Sequence, residues 1–405
     1  MSRGSSSARS SSERERERGS PIAGSERAIA LDALRGVALF GVLLVNLLTI
    51  FRVSLFAQFL PGGGPQPAPG ADHVVARVLA IGLEFKAFTL FSLLFGIGLA
   101  AQHERIRARG VAFGGYAARR LAFLLVLGLA HLFLIWNGDV LTLYAVVGIV
   151  AAPLLALSTR VLFVLAMLCF AAHLSRLPFP PPFASLPALR HHVLEANRVY
   201  GTGTFAEALA FRIREVRPIA ALLLWTTPRV LGLFFLGASA WRAGAFRGEQ
   251  RTRVRIIAAI GILGGGVMSW VANTASIDVG TWRDVLSRSA SLVLALGYAG
   301  VVVLAFEQPR PARGVLAAAL GLLAPLGRMA LTSYLTQSIV ASVLFYGWGF
   351  GLFGRVGEAR ATAIGVAIFV TQAALSAAWL RRYRFGPVEW VWRSFTYGER
   401  QPMRR

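Results

Sequence analysis

The chain has 405 residues, 56% of them hydrophobic and only 15% charged, with a mean hydropathy of +0.60. No water-soluble domain of this length needs so much apolar surface, which excludes the ordinary soluble enzyme and points to a polytopic α-helical membrane protein. The net charge of +23 is almost wholly arginine, with Lys86 the single lysine, and it clusters between apolar runs; that is the positive-inside pattern and not a nucleic-acid surface.

Residues 1–24 are rich in Ser, Arg, Glu and Gly, include E-R-E-R-E-R, and read as a disordered basic tail. A secretory signal does not fit, because the polar lead is too long and no A-x-A site follows the apolar run. The chain then enters S-E-R-A-I-A-L-D-A-L-R-G-V-A-L-F-G-V-L-L-V-N over residues 25–46. Asp32 and Arg35, three residues apart, share one helix face. Gly36 and Gly41 leave a small-residue face for a neighbouring helix. Asn46 carries an amide into the apolar region, where it needs a partner inside the bundle.

Ten spans can be drawn in residues 25–380, at about 36–59, 78–101, 117–137, 140–157, 160–176, 218–241, 254–273, 287–306, 326–347 and 361–380. The expected fold is therefore all-α, one bundle of about ten transmembrane helices. The tail, the 102–120, 242–255 and 307–314 connections and the aromatic and basic segment 381–405 carry the arginines. Their placement predicts a bacterial cytoplasmic (inner) membrane protein with both termini in the cytoplasm. The 177–217 segment is the exception, with Arg212, Arg214 and Arg217 on the outer side. It opens P-F-P-P-P-F and continues amphipathically from Ser185, as one or two helices lying along the membrane surface. Cys169, the one cysteine, lies in an apolar run, so neither a disulfide framework nor a thiol metal site is expected.

Several polar groups fall inside these runs. Span two holds Glu84 and Lys86, two residues apart and facing different directions, so each needs a partner on another helix. Gly96 and Gly98 of the same span read as a packing face. The third and fourth spans form a hairpin about N-G-D, a strong turn signal. It can bring His131 near Asp139, whose carboxylate would fix the tautomer of a general base. The plainer alternative has Asp139 capping its helix and His131 bonded to a backbone carbonyl. Arg229 follows Pro228 near mid-membrane, where an arginine needs a carboxylate, an anionic ligand or water; Glu84 and Asp139 are the nearest candidates. Tyr334 and Gln337 bring polar groups to one inner face, with Arg328 at the cytoplasmic end. The glycine-rich G-W-G-F-G-L-F-G run ends a span and is no phosphate loop.

Five stretches carry a family resemblance. They are Arg27 through L-D-A-L-R-G to V-N, then T-L-F-S-L-L-F-G-I-G, then G-L-x-H-x4-W-x-G-D-x-L-x-x-Y-A. The other two are G-R-M-A-L-T-S-Y-L-T-Q-S and W-L-R-R-Y-R-F-G-P-V-E-W-V-W-R-S-F-T-Y-G. Together they resemble the YeiB-like bacterial inner-membrane proteins from Arg27 to Tyr397, with residues 218–400 corresponding to the family's C-terminal domain of unknown function. That family is similar to the integral-membrane acyltransferases, such as the O-antigen acetylases and heparan-α-glucosaminide N-acetyltransferase. The resemblance implies a cytoplasmic acyl-CoA (acetyl-CoA) donor and a glycan or lipid acceptor at the outer face, with no metal. Arg27, Arg35, Arg119, Arg120 and Arg328, with Asp32 beside them, would gather the donor's phosphates. His131, Asp139, Glu84, Arg229 and Asn46 would form the catalytic region. The relatives' catalytic histidine falls where this chain has Asn46, so His131 would have to replace it. A transporter for a small anionic solute, with Arg229, Glu84, Lys86 and His131 along its path, is the competing reading, and a non-catalytic membrane protein is the third.

Overall fold

A computed structural model describes residues 24–62, 66–175, 183–246, 250–274, 281–306 and 314–405. Among these residues every regular element is a helix, apart from one isolated bridge, Tyr383 to Arg404. The basic tail expected over residues 1–24 lies outside the described residues, except for Gly24, where the first helix opens. The helices are α1 (Gly24–Asn46), α2 (Ala71–Gly82), α3 (Lys86–Arg107), α4 (Phe113–Ala130), α5 (Leu141–Leu154), α6 (Thr159–Leu174), α7 (Leu186–Thr202) and α8 (Phe205–Arg242). After them come α9 (Arg251–Thr274), α10 (Thr281–Phe306), α11 (Val315–Gly321), α12 (Ala324–Arg328), α13 (Ala330–Phe345), α14 (Glu358–Arg382) and α15 (Pro387–Tyr397).

Seven of the described helical stretches are long and apolar enough to cross a membrane, and three shorter apolar helices, α5, α6 and α13, occupy the remaining expected spans. The protein is a multi-pass α-helical membrane protein. Fourteen-residue α5 rises only about 21 Å at ~1.5 Å per residue, short of a hydrocarbon core about 30 Å thick. Its wide inward face is buried against α4 and α8. The bundle closes on backbone-to-backbone approaches that only glycine permits. A Cβ on Gly96 of α3 would lie 2.3 Å from the Phe234 carbonyl oxygen of α8, and one on Gly36 would lie 2.6 Å from the Leu323 carbonyl oxygen. Gly41 packs instead against the Ala87 methyl, which a Cβ would meet at 2.6 Å. Gly98 does not: it faces open space, so its expected packing role is not observed.

The amphipathic segment expected from Ser185 is α7, whose N-terminus is capped by the Ser185 hydroxyl, together with the first turns of α8. No break separates it from span six, because α8 runs unbroken for 38 residues with Pro218 and Pro228 inside it. Its start is held by a capping box between Thr204 and Glu207. Arg212 is not a basic loop residue. It is 2% exposed and donates to the Phe133 carbonyl at 3.1 Å, under the rings of Tyr200 and Tyr346.

Candidate functional site

Span two is broken where the sequence reads as continuous. Helix α2 ends at Gly82 and α3 begins at Lys86, with Phe85 between them in the left-handed region at φ 59°. A side chain held there costs about 1–3 kcal/mol, a strain concentrated at functional sites. Every carbonyl the break frees is answered. Lys86 Nζ donates to the Ala80 oxygen at 2.7 Å, the Ser269 hydroxyl to Ile81 at 2.8 Å and the Tyr298 hydroxyl to Gly82 at 2.8 Å. Irregular backbone at membrane depth persists only when it is buried in protein or lines a cavity. This break does both.

The cavity beside it has a volume of about 590 Å³ and receives residues from α1, the break, the N-G-D turn, α6, α8 and α10. Glu84, Asp139 and Arg229 all face it, as does Asn46. Arg229 is not paired with either carboxylate. Its guanidinium donates to the Thr89 hydroxyl at 2.6 Å, the Ser291 hydroxyl at 2.8 Å and the Phe85 carbonyl at 3.3 Å. The expected direct pair is thus replaced by two hydroxyls and the Phe85 carbonyl, which also accepts the first helical bond of α3 from the Thr89 amide at 3.0 Å. Asn46 likewise lacks the expected bundle partner. Among the described residues its amide makes no hydrogen bond, and it points into the cavity where α1 passes into a π-helical turn, Leu47–Phe51. Lys86, 3% exposed, is spent on the helix break and does not line the cavity.

The hairpin brings His131 and Asp139 together, with Nδ1 2.9 Å from Oδ1 and both side chains fully buried. His131 opens a second π-helical turn, His131–Ile135, of the kind that recurs at functional positions. Asp139 also caps α5, accepting from the amides of Leu141 at 3.1 Å and Thr142 at 2.7 Å. Asp139 thus stands beside the imidazole and caps its helix at once, whereas the backbone-carbonyl partner considered for His131 is absent among the described residues. A buried network fixes the turn: Glu215 of α8 accepts from Asn137 at 2.7 Å and Tyr200 at 3.1 Å, and lies 2.8 Å from His192. His131 itself does not line this cavity, and its ring sits 5.1 Å from that of Tyr334.

At the other end of α1 and α3 lies a smaller pocket of about 220 Å³. Five arginines face it: Arg35, Arg105, Arg120, Arg328 and Arg393. Arg120 lies 3.6 Å above the Trp392 ring, with its Nε buried and unpartnered among the described residues. Arg35 is paired with Asp32, and Arg328 donates to the Arg384 carbonyl at 2.8 Å. The one carboxylate in the wall, Glu389, is already engaged by the amides of Leu331 and Thr332, at 2.6 and 3.0 Å, and by the Thr332 hydroxyl. Burial pushes the Glu389 carboxyl up, against the pull of these donors. Arg119, expected in this cluster, is exposed and does not line the pocket. The Arg27 side chain lies outside the described residues.

Comparison with known proteins places this arrangement. Residues 240–399 match a family described as a protein of unknown function, DUF418. The chain is 31% identical over 407 residues to "Uncharacterized protein YxaH" of Bacillus subtilis (strain 168), covering 95% of this chain and 97% of that one. It belongs to the YeiB-like family. "Uncharacterized protein YeiB" of Escherichia coli (strain K12) is 29% identical over 387 residues, with 92% of this chain and 96% of that protein covered. "Uncharacterized 39.9 kDa protein in amylase 3'region" of Bacillus acidopullulyticus is 29% identical over 392 residues. No solved structure matches the chain.

In this YeiB-like bundle the two cavities approach each other end to end. Val140, just before α5, and Leu143 of α5 face the larger one, and Leu141 and Tyr144 face the arginine pocket. The septum is the buried Tyr144 ring, against Phe88 at 6.2 Å and Phe91 at 6.1 Å, with its hydroxyl 2.7 Å from that of Ser92. Asp139 borders one side of the septum and Tyr334 the other, with His131 between them. Sequence reading brought His131, Asp139, Glu84 and Arg229 into view because charged groups inside apolar runs stand out. It passed over His173, Arg288, Arg105 and Arg393, each near a helix end, where a basic residue is ordinary.

Proposed function

We propose that the protein is an integral-membrane acyltransferase, moving an acyl group from a cytoplasmic acyl-CoA to an acceptor held from the outer face. The observation that supports this reading is the pair of cavities at opposite ends of the bundle, one rich in arginine, separated by the septum that carries His131 and Asp139. The arginine pocket fits a polyphosphate: five guanidinia face it, its one carboxylate is already satisfied, and Arg120 keeps an orphaned buried nitrogen. At about 220 Å³ it would hold the part of the donor nearest the septum, while Arg35, Arg120 and Arg328 bind phosphate at its mouth. The donor supplies an acyl carbon activated as a thioester. Asp139 Oδ1 stands 2.9 Å from Nδ1 of His131, so with Nδ1 turned to the carboxylate it is Nε2 that would take a proton. Exposing Nε2 requires a shift of Tyr334, whose ring now covers the imidazole. The arginine-rich end faces the cytoplasm in this reading, as the positive-inside pattern requires.

A second reading, transport of a small solute, is favoured by the interrupted helix at the larger cavity, since broken helices commonly form transporter binding sites. One experiment decides between them. The protein in lipid nanodiscs is given acetyl-CoA, and free CoA thiol is followed with and without His131→Ala. Acyl transfer requires thiol release that falls by about 10²–10⁴-fold in the variant. Wild-type protein that neither binds nor consumes acetyl-CoA would end the acyltransferase reading.

A further inference from the structure

His173, near the C-terminus of α6, is 7% exposed, lines the larger cavity, and neither of its ring nitrogens has a hydrogen-bond partner among the described residues. A buried imidazole left unsatisfied is costly, and native proteins keep few such groups without a use for them. The elements around it are fixed without spending it. Arg288 of α10 donates to the His173 backbone carbonyl at 3.1 Å and lies 4.9 Å above the Trp225 ring. Trp225 flanks the imidazole, with ring centroids 5.5 Å apart.

Across the same cavity, the Glu84 carboxylate makes no hydrogen bond among the described residues and the charge that acts on it is that of Lys86, while the Asn46 side-chain amide has no hydrogen bond. The cavity thus offers an imidazole, a carboxylate and an amide to whatever enters it. Its charges nearly cancel: carboxylates Glu84, Asp139 and Asp284 stand against guanidinia Arg229 and Arg288. Both guanidinia are already engaged, Arg229 by two hydroxyls and a carbonyl, and Arg288 by the His173 carbonyl and, at 3.7 Å, by Asp284. Such a site does not select an anion. Ile219, Leu222 and Leu223 form an apolar wall beside the polar groups.

We propose that this cavity binds a neutral, hydroxyl-rich headgroup, with His173 and Glu84 bonding its hydroxyls. The ligand is the acceptor if acyl transfer holds, and only that label rests on the transfer reading; the site stands on its own geometry. The hydroxyls come either from a free sugar or from a glycosylated lipid whose chains lie along the apolar wall.

The test uses the full-length protein in nanodiscs, labelled with 15N-histidine, and two probes: glucose in solution and monoglucosyl-diacylglycerol in the bilayer. The His173 signal, assigned among six histidines with His173→Gln, should move on addition of at least one probe. Response to glucose identifies a soluble ligand, and response to the glycolipid alone identifies a lipid-borne one. In a competition assay, His173→Leu should weaken the responding probe at least tenfold without lowering the melting temperature. His173→Gln, which keeps a donor and an acceptor, should lose less, and Glu84→Gln should also weaken binding. An unmoved His173 signal with both probes would overturn the proposal, as would wild-type affinity in His173→Leu. If His173→Leu does not fold, Glu84→Gln and His173→Gln decide by the same affinities. Probe binding without acetyl-CoA turnover would sink the transfer reading alone.

Discussion

Substitution of Asp139 measures how much the hairpin depends on one carboxylate. Its Oδ1 lies 2.9 Å from His131 Nδ1 and 3.1 Å from the Leu141 amide, and its Oδ2 lies 2.7 Å from the Thr142 amide. Asp139→Asn keeps the shape but leaves one acceptor oxygen where there were two. Whichever way the amide turns, one amide of the buried first turn of α5 loses its acceptor, at about 1–3 kcal/mol. Asp139→Ala removes the cap and the histidine's neighbour together, and with two buried amides left without an acceptor should cost about 2–6 kcal/mol, at about 1–3 kcal/mol for each. Unfolding of the purified protein in mixed micelles, followed by tryptophan fluorescence, gives both values. A cycle with His131→Ala should show coupling of about 0.5–3 kcal/mol between the two residues. Asp139→Ala within about 0.5 kcal/mol of wild type, the range of an uninvolved surface change, would refute this account of the hairpin.

Gly96→Ala should destabilise by about 1–3 kcal/mol, because the added methyl meets the Phe234 carbonyl, whereas Gly98→Ala, facing open space, should be neutral; equal melting temperatures would contradict the packing. Arg120→Ala should weaken acetyl-CoA binding about tenfold or more by calorimetry, as expected for a lost charge-assisted contact, while Arg119→Ala should leave it unchanged. Lys86→Met, Ser269→Ala and Tyr298→Phe should each cost on the order of 1 kcal/mol in the same unfolding assay, because each strips one carbonyl of the broken span. In a Cys169→Ala background, Gly110→Cys should react only with reagent from the cytoplasm and Gly62→Cys only with reagent from outside; the reverse pattern would invert the topology.

The sequence by itself determined the class of protein and the places of its helices, because apolar runs of spanning length have few other uses and the arginines between them mark the connections. It also brought His131 and Asp139 into view, since a turn as tight as N-G-D allows the flanking residues to meet. Only the tertiary structure decided what the polar groups pair with. Arg229 turns to Thr89, Ser291 and the Phe85 carbonyl at the head of α3, and no periodicity reports the break at Phe85, because Leu83 and Phe85 remain apolar whether or not the helix continues. The arginine pocket likewise joins α1, α3, α4, α12 and α15, segments far apart in the chain. Which arginines converge is fixed by helix packing and not by spacing, which is why Arg393 enters the pocket and Arg119, beside Arg120, does not.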